Sequence, residues 1–147
     1  MGMNFSVKIT SNVDEIIRQN DETLIKAFED IGLSAETYAV MEVDKLVYRS
    51  PAGSYVRTGA LRNSITHRSD GKSAVIGSNL EYAPYVEYGT GIYAEGGGRS
   101  TPWIYQDDEG NWHRTVGMKP RHFLKDAIEK HLPEFQRILE LYLSGQL

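Results

Sequence analysis

The stretch NVDEIIRQNDETLIKAFEDIGLSAETYAVMEVDKLVY, from Asn12 to Tyr48, decides how the rest of the chain must fold. Its apolar side chains recur at three- and four-residue intervals, which is the spacing of one face of an α-helix. They are Val13, Ile16, Ile17, Leu24, Ala27, Phe28, Ile31, Ala35, Tyr38, Ala39 and Leu46. We therefore predict one long helix, begun by a capping box of Asn12 and Glu15 and weakened or kinked at Gly32.

The predicted helix is long for a chain of this size. At 1.5 Å per residue it would extend about 50 Å, which exceeds what a small sheet can cover. We therefore expect part of its apolar stripe to meet another subunit. The alternative is that the whole stripe packs within its own domain.

Short segments elsewhere predict one strand and two hairpins. Residues Phe5 to Ile9 alternate as a strand does. The first hairpin is predicted from Ile65–Arg68 and Ala74–Ser78, joined by an Asp-Gly turn. The second is predicted from Trp103–Gln106 and Trp112–Val116.

Proline and glycine mark the remaining helices. Pro84 suits the first turn of a short helix and Gly89 its end. Pro120 precedes a final helix, and Pro133 predicts a break in that helix near His131.

The order of elements indicates an α+β fold. We predict a long N-terminal helix and a C-terminal helix packed on a small, mainly antiparallel sheet of hairpins. The whole chain, residues 1–147, would form a single domain with a flexible loop at about residues 94–101 and a hairpin tip at about 107–110.

Composition narrows the class of protein. Of the 147 residues, 40% are hydrophobic, enough for a real core, and there is no cysteine, so disulfides and thiolate metal sites are excluded. No apolar run approaches the roughly 18 residues of a membrane span, so we expect no membrane partner. The net charge of -4 gives no general attraction to nucleic acid.

The charges are unevenly distributed along the chain. Between Asn12 and Lys45 there are nine acidic and three basic residues, whereas Arg114 to Lys130 carries five basic and two acidic ones. Opposed patches of this kind suit contact between copies of the chain. The alternative is that they are the solvated faces of ordinary helices and strands.

The sequence contains no recognisable catalytic, metal-binding or cofactor-binding pattern. Asp107, Asp108 and Glu109 match neither a calcium loop nor a zinc motif, and the histidines show no HExxH spacing. The glycines at 96–98 lack the ending of a phosphate-binding loop. We therefore predict no enzyme activity, no catalytic residues, no metal and no cofactor.

The residue types are also compatible with a second class of function, nucleic-acid binding. The basic stripe from Arg57 to Lys72 and the aromatic residues from Tyr82 to Tyr93 could bind nucleic acid by charge and stacking. Tyrosine and arginine are also favoured at protein interfaces, and we favour that alternative in an acidic chain.

Three ordered segments resemble the tailed-bacteriophage morphogenesis family of neck, head-tail connector and tail-completion proteins. Members typically show a Thr-Gly-x-Leu-Arg-x-Ser-Ile turn, then Tyr-Ala-x-Tyr-Val-Glu-Tyr/Phe-Gly-Thr, then Pro-x-x-Phe-Leu. Here these correspond to Thr58–Ile65, Tyr82–Thr90 and Pro120–Leu124. The resemblance covers about Tyr48 to Ile128.

The resemblance implies a structural protein of a phage or prophage particle. It implies a homo-oligomeric ring at the head-tail junction or at the head-proximal end of the tail, beside neighbouring connector or tail proteins. Double-stranded DNA would pass through the ring without sequence-specific binding. The chain would be located in the virion and, during assembly, in the host bacterial cytoplasm.

Each segment can be given a physical role. Gly59 and Gly89 would set tight turns that Leu61, Ile65, Tyr85 and Phe123 hold on the core, with Thr58 capping the first turn and Pro120 starting the last helix. Arg62, Glu87 and Tyr88 are the candidates for inter-subunit contacts.

Overall fold

A computed structural model describes residues 5–10, 21–48, 59–106 and 109–145 of the chain. The strands are β1 (Phe5–Thr10), β2 (Ile65–Ser69), β3 (Ser73–Ser78), β4 (Trp103–Gln106) and β5 (Trp112–Thr115). The helices are α1 (Asp21–Val43), α2 (Ala60–Ser64), α3 (Ala83–Tyr88), α4 (Phe123–Glu129) and α5 (Leu132–Leu143). Helix α1 continues into a π-helical turn, Asp44–Tyr48, and a 3-10 turn covers Gly91–Tyr93.

Helix α1 lies at the centre of the molecule. It contacts β2 and β3 on one side and α4 and α5 on the other. Two covered sides require a wide apolar arc, and the small residues in that arc allow close approach of the neighbouring elements. The buried members are Leu24, Ala27, Phe28, Ile31, Ala35, Ala39 and Val43, each at most 2% exposed.

Two separate antiparallel sheets are present. Strands β1, β3 and β2 lie side by side in that order, and β4 pairs only with β5. Val7 is paired with Ile76 and Ile9 with Ala74, so alternate residues of the larger sheet face α1. Lys8, Val75 and Arg68 are neighbours across the three strands and lie on the opposite face.

The predicted α+β fold with a long N-terminal helix is confirmed. Both predicted hairpins form, and the last helix is interrupted between Glu129 and Leu132, as Pro133 indicated. The capping box at Asn12 and Glu15 lies outside the described residues. Between Leu24 and Val43 the apolar stripe is buried by its own chain, so this part of the stripe is not what would meet another subunit.

Helix α1 continues through Gly32, as the predicted single long helix requires, and the expected weakness or kink at this position stays a prediction. A Cβ atom at this position would lie 2.8 Å from Cδ2 of His67 and 3.5 Å from the Cβ of Ala74. The glycine therefore permits strands β2 and β3 to approach the helix closely.

His67 joins β2 to α1 through both ring nitrogens. Its Nε2 lies 2.7 Å from Oε1 of Glu29, its Nδ1 is bonded to Glu36, and Ser69 donates to Glu29 at 2.6 Å. Burial lowers the pKa of His67, but hydrogen bonds and charge from the two glutamates outweigh it and raise the pKa overall. Hydrogen bonds from Ser69 and His67 lower the pKa of Glu29.

These shifts predict how the stability of the fold depends on pH. Because the folded-state pKa of His67 is raised, its contribution is fully present below its unfolded pKa of about 6.5 and is lost as pH rises through the folded value. The free energy of unfolding in urea should therefore fall more steeply as the pH rises above about 6.5 in the wild type than in His67→Gln. Parallel curves for the two proteins would contradict this role for His67.

Candidate interaction surface

Helix α3 separates a buried side from an exposed row of tyrosines. Pro84 occupies its first turn, and Ala83, Val86 and Glu87 face the interior. The opposite side presents Tyr82, Tyr85 and Tyr88, which are 37%, 58% and 42% exposed. Residues three apart share one side of a helix, so these rings form a continuous row. Tyrosines of this kind are favoured in protein interfaces because they combine large apolar area with a polar tip.

Glu87 is the residue that fixes α3 against α4. The residue is 1% exposed, and its Oε2 and Oε1 accept the backbone N–H groups of Leu124 and Lys125 at 2.8 and 2.9 Å. The carboxylate thus satisfies the N–H groups that α4 leaves unpaired at its first turn. Burial raises the pKa of Glu87, although these two N–H bonds and the nearby His122 act in the opposite direction.

Arg121 and His122, the two residues before α4, strengthen the contact between α3 and α4 with further hydrogen bonds and an ion pair. Arg121 and His122 donate their N–H groups to the carbonyls of Val86 and Glu87, at 2.9 and 3.2 Å. The Nε2 of His122 lies 2.8 Å from Oε1 of Glu95, and Nη1 of Arg121 donates to the carbonyl of Leu46 at 2.6 Å. The start of α4 therefore holds α3, the following loop and the end of α1 together.

The β4–β5 hairpin is attached to this junction by two crossing backbones. Thr90 and Met118 exchange backbone hydrogen bonds of 2.8 and 3.2 Å. A Cβ on Gly91 would lie 1.9 Å from the carbonyl oxygen of Val116, and one on Gly117 would lie 2.1 Å from that of Thr90. Only glycine fits at positions 91 and 117, where the two backbone segments cross. Both positions also have positive φ.

The hairpin itself has two unlike faces. Trp103, Tyr105 and His113 are half-buried on one face, where Tyr105 stacks on His113 and Arg99 lies over the Trp103 ring. The other face presents Ile104 and Trp112, each 68% exposed.

Arg62 lies on α2, beside the end of α1. It is half-exposed, and its Nη1 lies 3.5 Å from Oδ1 of Asp44 in the π-helical turn. An exposed ion pair of this kind contributes little to stability.

The other motif residues are distributed as follows. Gly59 and Gly89 have φ values of 78° and 81°, and Leu61, Ile65 and Phe123 are buried. Pro120 packs close to Gly89, at 2.9 Å from the position of a Cβ there. Thr58 lies outside the described residues.

The prediction that Tyr85 packs on the core is wrong. Ala83 and Val86 occupy the buried side of α3, and Tyr85 points outward. Glu87 was expected to be a contact residue, and its carboxylate is instead engaged within its own chain. We therefore base the interface proposed below on Arg62 and Tyr88.

The basic stripe is divided in the structure. Arg62 adjoins α1, while Arg68 lies on the face of the sheet that points away from α1. Lys72 is exposed in the β2–β3 turn, and Arg57 lies outside the described residues.

The described part of the chain lacks two kinds of feature, a metal-binding cluster and a membrane-spanning helix. Among those residues, no group of three or more histidine, aspartate or glutamate side chains could hold a metal ion. Of the helices described, none is long and apolar enough to span a membrane.

Comparison of the sequence with known protein families identifies the class of this chain. The family model "Bacteriophage HK97-gp10, putative tail-component" matches residues 8–89, which is more than half of the chain. The chain belongs to this HK97-gp10-like family of tailed-phage proteins. No curated protein and no solved structure matched it.

Family membership confirms the resemblance inferred from the three segments and supports location in the virion. The matched range includes the first segment and all of the second except its last residue, because it ends at Gly89. The β4–β5 hairpin and the helices α4 and α5 therefore follow the matched part of the chain.

Substitution of Glu87 tests its role at the start of α4. In Glu87→Gln one carbonyl oxygen replaces two carboxylate oxygens, so one N–H loses its acceptor. The unfolding free energy in urea should fall by about 1.5–3 kcal/mol. Glu129→Gln, at an exposed position on α4, should alter the unfolding free energy by less than about 0.5 kcal/mol. Equal effects of the two changes would contradict the role given to Glu87.

The backbone crossing gives a second prediction. Gly117→Ala places a methyl group against the carbonyl of Thr90, whereas Gly96→Ala meets nothing within 4 Å, although both glycines have positive φ. Gly96→Ala should cost only the backbone term of about 1–2 kcal/mol, and Gly117→Ala should cost at least about 1–3 kcal/mol more. Thermal unfolding of both variants measures the difference, which should vanish if the two backbones do not cross closely.

Proposed function

We propose that this chain is the subunit of a homo-oligomeric ring at the head-tail junction, or at the head-proximal end of the tail, of a phage or prophage particle. Double-stranded DNA would pass through the ring. The ring would contact neighbouring connector or tail proteins and would assemble in the cytoplasm of the host bacterium.

The observation that carries this proposal is the row of exposed tyrosines on α3 in a protein that belongs to a phage tail-component family. These three tyrosines are at least 37% exposed, so they are not part of the hydrophobic core. At an interface between subunits, however, they would supply buried aromatic anchors. Tyr88 belongs to this row, and it adjoins the loop that leads to the hairpin, because Glu95 donates its N–H to the Tyr88 carbonyl at 2.9 Å.

Arg62 supports the proposal from another part of the surface. It lies beside the last turn of α1, whereas Tyr88 lies on α3. A ring requires a heterologous interface, in which each subunit uses a different surface toward each of its two neighbours, and it forms when the rotation between subunits closes. Arg62 and Tyr88 are the two residues that we assign to this interface.

The charge of the chain is compatible with DNA passage. A net charge of -4 gives no general attraction to the DNA phosphates, so DNA would not be retained by electrostatic binding. A channel for a moving duplex requires such weak binding rather than sequence-specific contacts.

Location and assembly provide the direct test. Purified phage particles should contain this chain, and imaging of the neck should show it as a ring of identical subunits around the DNA. Absence from purified particles, together with a strictly monomeric mass at high concentration, would overturn the proposal.

Variants test the two contact residues. Arg62→Ala and Tyr88→Ala should each reduce incorporation into particles by about tenfold or more, the loss expected from one interface anchor. Arg137→Ala is the matched control, because Arg137 is an exposed arginine paired with one acid, Glu134, at 3.1 Å. Normal incorporation of both Arg62→Ala and Tyr88→Ala would exclude these residues from the interface.

A further inference from the structure

The three-stranded sheet packs on α1 with one face and exposes side chains on the other. We call this second side the outer sheet face. One row across the strands places Lys8 and Arg68 on either side of Val75, because both are paired with that residue. Both cations are exposed. The described residues of the outer sheet face are Ser6, Lys8, Thr66, Arg68, Val75 and Gly77.

A depression lies beside these two cations. Gly77 has no side chain and is paired with Ser6 on one strand and Thr66 on the other, which leaves a gap between them. The depression has a volume of about 130 Å³, several times the roughly 15 Å³ that one water molecule requires. Ser6, Thr66, Arg68 and Asn79 are among the residues that line it. Their hydroxyl, guanidinium and amide groups are of the kinds that contact phosphate oxygens in protein–DNA complexes.

The polar side chains of this face are not engaged within the fold. Among the described residues, the side chains of Ser6 and Thr66 form no hydrogen bond, and those of Lys8 and Arg68 form no ion pair. On the opposite face of the sheet, by contrast, the hydroxyl of Ser69 donates to a glutamate of α1. The outer sheet face therefore presents groups with which a ligand can pair.

The local charge of the sheet is opposite in sign to that of the whole chain. The three strands and the β2–β3 turn contain three basic residues and one acidic residue, whereas the chain carries a net charge of -4. The acidic residue is Asp70, which accepts two backbone N–H groups of the turn and interacts electrostatically with Lys8. Glu29 and Glu36 bond to His67 on the side that faces α1. The outer sheet face is therefore positive and complementary to an anion.

We propose that the outer sheet face contacts the phosphate backbone of the DNA duplex that passes through the ring. The inference rests on the ring proposed above, because it names the side of the subunit that faces the channel. Lys8 and Arg68 attract the phosphates by charge. One phosphate enters the depression between Ser6 and Thr66, whose hydroxyl groups donate to its oxygens.

The residues of this face suit a DNA duplex that moves. A duplex carries one negative charge per about 1.7 Å of its axis, so two cations about 10 Å apart across three strands can meet phosphates at the same time. Phosphates are the same in every sequence, and contacts of this kind allow a protein to slide along DNA. None of the six residues of the outer sheet face is aromatic, so the face offers no ring on which a base could stack.

The residues assigned to the subunit interface lie outside the sheet. Arg62 is on α2, beside the end of α1, and Tyr88 is on α3. Contacts with neighbouring subunits and contacts with DNA therefore use different surfaces of the chain. In a ring of identical subunits, every copy presents the same face to the channel.

Titration of the purified chain with a short DNA duplex, followed by NMR, tests the contact. The backbone amide signals should shift along the outer sheet face and not along α1. Each phosphate contact contributes about 0.9 to the slope of log affinity against log salt concentration. Between about 50 and 200 mM salt, the wild-type affinity should therefore fall by about twelvefold more than that of the double variant Lys8→Gln, Arg68→Gln.

Two further variants complete the test. Lys26→Gln with Arg137→Gln is the matched control, because it removes one lysine and one arginine from exposed positions outside the sheet. This control should keep the wild-type salt dependence. Thr66→Val suits a strand but removes the hydroxyl, so the affinity at fixed salt should fall by about fivefold. Circular dichroism confirms that each variant is folded.

Four results would overturn the inference. Absence of wild-type binding at about 50 mM salt would exclude the contact with DNA. Equal losses of affinity in the two double variants would show only a general attraction by charge. An unchanged affinity of Thr66→Val would exclude a phosphate from the depression. Normal DNA binding by the Lys8→Gln, Arg68→Gln variant, together with its loss from particles, would assign the face to a neighbouring protein.

The failure of this inference can be separated from the failure of the proposed function. A ring in particles, built from a chain whose outer sheet face does not bind DNA, would leave the function intact and exclude this contact. DNA binding by the outer sheet face of a chain that is absent from particles would retain the contact and exclude the ring.

Discussion

Burial of α1 on two sides is the constraint on which the rest of the structure depends. The sheet covers one side of the helix and the C-terminal helices cover the other, so neither layer has a core without it. A fully buried leucine or phenylalanine contributes about 1.5–3 kcal/mol, and Leu24, Phe28 and Ile31 all lie in this position. Because two sides of α1 are occupied, only its remaining exposed surface is accessible to other molecules.

Polar contacts then set the geometry that apolar packing leaves open. His67 fixes β2 on the helix through two carboxylates, and Glu87 fixes α3 on the first turn of α4. Hydrophobic burial has no preferred direction, whereas these bonds hold only at one distance and one angle. The hydrogen bonds of His67 and Glu87 therefore determine the orientation of the tyrosine row on α3 and of the β4–β5 hairpin.

The sequence allowed most of the elements to be predicted, because periodicity and turn residues are local signals. The α+β fold, both hairpins and the interruption before Leu132 all followed from such signals. The close packing at Gly32 could not be predicted, because it depends on His67, thirty-five positions away. Tyr85 was misjudged for a related reason: a six-residue helix is too short for its pattern to show which side is buried. The carboxylate of Glu87 could not be assigned from the sequence, since its partners are backbone groups of a distant segment.

Glu29 is bonded within the fold and is also exposed to solvent. It bonds to His67 and Ser69 at the junction of α1 with β2, and its side chain is also 56% exposed to solvent. Any molecule that interacts with the charge of Glu29 at the surface therefore changes the affinity of His67 for its proton, and the proton changes that interaction by the same factor. Proton binding inside the subunit and contact on its surface are in this sense linked equilibria that share one carboxylate.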